Sequence, residues 1–206
     1  YFLNAESNSI ETDGIHIEFP AFSFYKSLYF DFSYSDRDST SLSKIYNLHN
    51  QYTPVQKYFN LSIAFDSIPE IPNNSVYIAY SPDNTNYSYL ATKRDKGSLK
   101  SRSRQLGFYK VLSDTTSPNI IEKNFKEGKN IRKQKTLQIK IEDEHTGIKD
   151  YKAYLNDAWI LMEYEPKKNL LFYNYDEKLL KGKNVFKLVV EDMLNNKNEY
   201  VCEITY

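Results

Sequence analysis

The sequence predicts an all-β chain built from two tandem β-sandwich units. Three observations carry this. Apolar and polar residues alternate at period two in short runs along all 206 residues, with turn-forming clusters between them. Tyr and Phe are abundant, at 19 and 12, and both suit half-buried pleated surfaces. The stretch Asp114-Thr115-Thr116-Ser117-Pro118 falls near the middle and separates two sets of runs, each near the roughly 100 residues of one sandwich. The expected units are 1–113 and 119–206, with 114–118 as linker.

In the first unit Ile15, Ile17 and Phe19 share one face of a strand, and His16 and Glu18 the other. Pro20 ends that run, because proline cannot donate to a ladder. Leu28, Phe30, Phe32 and Tyr34 alternate again, and Ser35 to Ser43 reads as a loop. Leu42, Ile45, Tyr46 and His49 have helical spacing in a segment too short to decide. Phe59, Leu61, Ile63 and Phe65 line a strand that Pro69 and Pro72 break. Val76, Ile78 and Tyr80 form the next, which turns at Ser81-Pro82-Asp83-Asn84 into Tyr87, Tyr89 and Ala91. A Lys-rich turn with Gly97 leads to Leu99–Arg104, a strand with one polar face, and Leu106 to Leu112 closes the unit.

The second unit reads as an immunoglobulin-like sandwich of about seven strands. They are Asn119 to Phe125, Lys135 to Glu142, Ile148 to Leu155, Ala158 to Tyr164, Leu170 to Tyr175, Asn184 to Asp192 and Lys197 to Thr205. Asn156-Asp157 makes a tight hairpin before Trp159, and Asn195-Asn196 joins the last two strands.

Composition narrows the function classes. Lys+Arg and Asp+Glu both number 27, so nothing global attracts nucleic acid or an anionic membrane. No apolar run approaches the length of a membrane-spanning helix. Cys202 is the single cysteine; it rules out an intrachain disulfide and reads as a small core residue. The chain starts at Tyr1 without a signal peptide, as a fragment or mature segment would.

Motifs for chemistry are sparse. His16, His49 and His145 form no close pair and no zinc spacing. There is no Gly-x-Ser-x-Gly and no phosphate loop among six glycines. No catalytic and no cofactor-binding residue is therefore expected. Asp114, Asp143, Glu144 and Asp192 lie at strand ends, where hard oxygen ligands would suit Ca²⁺ and where Asp also supplies turn hydrogen bonds. Lys93, Arg94, Lys100, Arg102 and Arg104 form a basic run; Lys100, Arg102 and Arg104 share one strand face. That face would suit an anionic polymer such as a glycan or teichoic chain, or would serve to discourage edge pairing.

Several stretches together resemble a known family. Asp114-Thr115-Thr116-Ser117-Pro118 is similar to the Asp-Thr-Thr-Pro-Pro opening of bacterial immunoglobulin-like units. Ile141 to Ile148 resembles their Ile-x-Asp-x-x-Ser-Gly-Ile turn. Val190 to Asn196 resembles their Val-x-Asp-x-x-Gly-Asn ending, with Asn195 where glycine is usual. With the Asn156 to Lys167 stretch, the Asp13 to Tyr25 segment, and Asn47-Leu48-His49-Asn50 before Tyr52-Thr53-Pro54-Val55, the order resembles the C-terminal, non-catalytic region of lysostaphin/LytM-type peptidoglycan zinc metallopeptidases from Bacteroidetes.

The resemblance implies an accessory region that positions, regulates or anchors an exported zinc endopeptidase in the cell envelope, periplasmic or on the outer surface. It implies no enzyme activity in this chain. Zinc would sit only in a missing catalytic domain, since the family's His-x-x-x-Asp and His-x-His motifs do not occur here. Expected partners are that upstream domain and peptidoglycan or another envelope glycan. The alternative is a cell-surface adhesion or glycan-binding protein on the same sandwiches.

Overall fold

Most of the alternating runs become strands, which make up about half of the chain. A computed structural model describes residues 1–12 and 14–206. Asp13, which opens the Asp13 to Tyr25 segment, lies outside the described residues. The chain is all-β, with four antiparallel sheets, and divides into two units, Tyr1–Asp114 and Thr115–Tyr206. Two short 3₁₀ turns, Asn73–Ser75 and Pro166–Lys168, are the helical elements among the described residues.

The first unit runs β1 (Asn8–Thr12), β2 (Ile15–Phe19), β3 (Phe32–Ser35), β4 (Ile45–Leu48) and β5 (Phe59–Ala64). It continues through β6 (Val76–Ser81), β7 (Ser88–Leu90), β8 (Lys93–Asp95), β9 (Ser98–Ser103) and β10 (Gly107–Ser113). One sheet has the order β1-β2-β5-β9-β8 and the other β3-β4-β10-β6-β7. Ile17, Phe19, Phe59, Leu61, Ile63 and Leu99 from the first pack in one apolar cluster with Tyr46, Leu48, Ile78, Tyr109 and Val111 from the second. Period two then sends His16 and Glu18 of β2, Asn60 and Ser62 of β5, and Lys100 and Arg102 of β9 to the opposite, outer face.

Two readings of this unit change. The Leu42 to His49 segment is strand, because Ile45–Leu48 pairs with β3 and β10. The Leu28 to Tyr34 run is strand only from Phe32; Leu28 makes an isolated bridge to Phe2 instead. Phe2 and Phe30 stack there, 4.4 Å apart, so the alternation served an aromatic cluster rather than a ladder.

The second unit runs β11 (Asn119–Glu122), β12 (Thr136–Glu142), β13 (Ile148–Leu155), β14 (Ala158–Ile160), β15 (Glu163–Glu165), β16 (Leu170–Asn174), β17 (Lys183–Asp192) and β18 (Lys197–Thr205). Its sheets have the orders β11-β12-β16-β15 and β14-β13-β17-β18. The single Ala158 to Tyr164 strand is thus corrected to two. Ala158–Ile160 pairs with β13, and Glu163–Glu165 crosses to pair with β16. Ile160 and Met162 point into the core and Leu161 out, so the crossing keeps the alternation and exchanges the partner.

Two hairpin turns of this unit obey their chemistry. Asn156 and Asp157 take positive φ of 50° and 64°, as a two-residue turn with right-handed strand twist requires. Asn195 has φ 70°, the left-handed conformation for which glycine or asparagine is suited. Cys202 is buried in the core.

Candidate functional site

The basic run lies on two strands of the first unit, and pairing decides which members meet. In β8, Lys93 pairs across from Lys100 and Arg94 from Leu99. Leu99 faces the core, so Lys93 shares the outer face with Lys100 and Arg94 does not. Arg94 lies instead 5.3 Å over the Phe65 ring. Arg104 follows β9, its guanidinium 5.2 Å from the centre of Tyr58.

Lys93, Lys100 and Arg102 line one open groove, with a volume of about 630 Å³, on the outer face of this sheet. β5 lies between β2 and β9, so His16 and Glu18 form the other wall and Asn60 and Ser62 the floor. The register sets His16 beside Ser62 and Ser62 beside Lys100, and sets Glu18 beside Asn60 and Asn60 beside Arg102. One wall is cationic; the other holds Glu18 3.2 Å from His16 Nε2. Lys100 is held by Asp95 at 2.5 Å, whereas Lys93 and Arg102 have no carboxylate partner among the described residues.

The sequence did not mark Glu18, Asn60, Ser62 or Tyr58 as binding-site residues. Their outward alternation was visible, but not that β5 would bring them beside β9.

Two of the acidic candidates, Asp143 and Asp192, organise their turns. Asp143 Oδ1 accepts the backbone N–H groups of His145 at 3.2 Å and of Thr146 and Gly147 at 2.8 Å each. Asp192 Oδ1 accepts from the N–H groups of Leu194 and Asn196, each at 2.8 Å, and its Oδ2 from the Asn196 side chain at 2.7 Å. These bonds account for the two turn motifs, since one carboxylate satisfies several loop donors. Oxygens of Asp143 and Asp192 come within 4.8 Å, and Glu144 is not part of that group. Asp114 ends the first unit, buried, with its N–H bonded to Ser75 O at 2.8 Å.

The histidines have separate surroundings. His16 lies between Glu11 and Glu18. His49 stacks on Phe30, and its Nδ1 accepts from the Asp31 N–H at 3.2 Å. His145 sits exposed in the Asp143 turn. Among the described residues no cluster with metal-binding geometry includes a histidine.

The fold and this face define an all-β protein whose first unit carries a polar, partly cationic groove on a sheet. Residues 1–114 match the family model of the Zu5-like domain. That match covers more than half of the chain, and the chain belongs to the Zu5-like domain family. No curated protein and no solved structure matches it.

Proposed function

We propose that this chain is a non-catalytic accessory region of an exported zinc endopeptidase acting on peptidoglycan, and that it positions or anchors that enzyme in the cell envelope. In this reading the two units are tandem β-sandwiches, the second immunoglobulin-like. Its support is one core cluster per unit drawn from two antiparallel sheets. The zinc belongs to a separate catalytic domain, and this chain contributes recognition.

The observation that carries the reading is the groove of His16, Glu18, Asn60, Lys93, Lys100 and Arg102. Its row of polar side-chain groups fits a hydroxyl-rich chain laid across the strands, held by side-chain hydrogen bonds. Co-sedimentation of the purified chain with peptidoglycan sacculi tests it. Binding, with no zinc and no hydrolysis, is expected. Stoichiometric zinc with cleavage of the sacculi would overturn it.

A second reading, adhesion to surface glycans, draws on the exposed rings Tyr25, Tyr29 and Tyr52, which are 68%, 81% and 85% accessible. Aromatic faces of this kind stack on sugar rings. It would be preferred if the chain ignored sacculi and bound glycans freed of peptidoglycan.

A further inference from the structure

Lysine–glutamate ion pairs recur on the strands of the second unit. Lys140, Lys149, Lys183, Lys187 and Lys197 each lie within 4 Å of a glutamate. The end of the groove is different. Arg102 and Arg104 have no carboxylate partner among the described residues. Both are held instead by one ring, with guanidinium centres 5.3 and 5.2 Å from the centre of Tyr58. Arg104 also donates to the Gln56 carbonyl at 3.4 Å. Tyr58 precedes Phe59, whose side chain is fully buried, so alternation turns the tyrosine outward, and it is 51% accessible.

A guanidinium held by a ring keeps its fork of donors oriented without having a carboxylate to satisfy it. Such a fork matches a carboxylate or phosphate bidentately. Arg102 lies on β9 and Arg104 just beyond its end, and the shared Tyr58 ring holds their two guanidiniums near each other. Lys93 and Lys100, paired across β8 and β9, extend the positive edge. Asp95 offsets part of the repulsion between these two opposed cations, and a bound anion would relieve the rest. The half-exposed Tyr58 ring supplies an apolar surface for a sugar.

We propose that Tyr58, Arg102 and Arg104 form a clamp for an anionic polysaccharide, with the ring stacked on a sugar and the guanidiniums on its acidic groups, and that Lys93 and Lys100 extend the contact into the groove. The proposal rests on the groove being a glycan site, and it names the charge class of the ligand. The acid can be a sugar carboxylate or a phosphate or sulfate ester; the shared chemistry is a planar or tetrahedral oxyanion on a sugar chain.

Affinity electrophoresis of the full chain in polygalacturonate, dextran sulfate and neutral dextran tests this, with inorganic polyphosphate as an anion lacking sugar rings. Retardation by at least one acidic polysaccharide is expected, weakening as salt is raised, with neutral dextran inert. The double variant Arg102→Gln/Arg104→Gln should lose tenfold or more in affinity while keeping the parent's melting temperature. Tyr58→Leu should weaken acidic polysaccharides several-fold and polyphosphate by less, since the polysaccharides lose the sugar contact as well as the orientation of the guanidiniums. The proposal fails if neutral dextran binds as well as the acidic polymers, if the arginine variant binds like the parent, or if Tyr58→Leu has no effect. Acidic glycan binding without sedimentation on sacculi would uphold the clamp and reject the peptidoglycan reading.

Discussion

The Lys110 ammonium lies 2.7 Å from Asp38 Oδ2, though the two residues are 72 positions apart in the chain. It also sits 4.2 Å from the centre of the Tyr87 ring. Lys110 is on β10 with its side chain only 8% accessible, while that of Asp38 is 41% accessible. Asp38 Oδ1 accepts from the backbone N–H groups of Thr40 and Ser41 as well, so one carboxylate organises the Ser35 to Ser43 loop and neutralises a buried cation.

The unequal burial makes the pair asymmetric. Asp38→Asn strands an ammonium that water hardly reaches, and should destabilise the protein by about 3 kcal/mol. Lys110→Met leaves a carboxylate that solvent can reach and should cost about 1 kcal/mol. Denaturant melts of both variants check this, and equal losses would contradict it.

The same pair sets an acid response. Burial opposes ionisation of Asp38, but the Lys110, Thr40 and Ser41 bonds outweigh it and hold the carboxyl well below its usual 3.8. A depressed folded value means that the stability is fully present above the unfolded value near 3.8 and is lost as pH falls toward the folded one. Stability measured from pH 5 downward should therefore fall less steeply in Asp38→Asn than in the parent.

At the alkaline end the sign reverses. Burial, with the nearby Asp38 and Asp83 charges, pushes the Tyr87 hydroxyl up to about 12. Burial and Tyr206 push Tyr175 to about 12 as well. The unfolded phenols ionise near 10 while the folded ones stay neutral, so stability should fall as pH rises from 10 to 12. Tyr87→Phe and Tyr175→Phe should each flatten that fall.

Tyr175 allows a second measurement. Its hydroxyl is buried with no hydrogen-bond partner among the described residues. Removing an unsatisfied buried oxygen removes a desolvation cost, so Tyr175→Phe should be neutral or stabilise by up to about 1 kcal/mol at pH 7. A loss above 1 kcal/mol would indicate a bond to ordered water.

Gly107 opens β10 at φ 139°, where a Cβ would meet the Ser81 carbonyl oxygen at 2.8 Å. The obstacle is backbone of β6, which cannot swing aside. Gly107→Ala should cost about 2 kcal/mol in a thermal or denaturant melt. A wild-type melting point would show that the β10–β6 pairing has slack.

Much of this protein was legible from local pattern. Period-two alternation assigned Ile15, Ile17 and Phe19 inward and His16 and Glu18 outward. Asn156-Asp157 and Asn195 announced turns whose positive φ suits them. Lys100 and Arg102 shared a face because strand geometry leaves no other arrangement. These properties depend on neighbours a few residues apart, which a sequence displays directly.

Strand partners were not legible. Alternation tells which face a residue takes, but not which strand lies beside it, because any two strands with matching apolar faces close a core equally well. Only the tertiary order β2-β5-β9 placed Asn60 next to Arg102, with Glu18 on its other side, and made a groove from what had been one basic hairpin. Only the fold split Ala158 to Tyr164 between two sheets, since Leu161 and Met162 keep alternating while the pairing partner changes. The meeting of Lys110 with Asp38 has the same origin: burying a cation requires a distant carboxylate, and chain closure selects which one arrives.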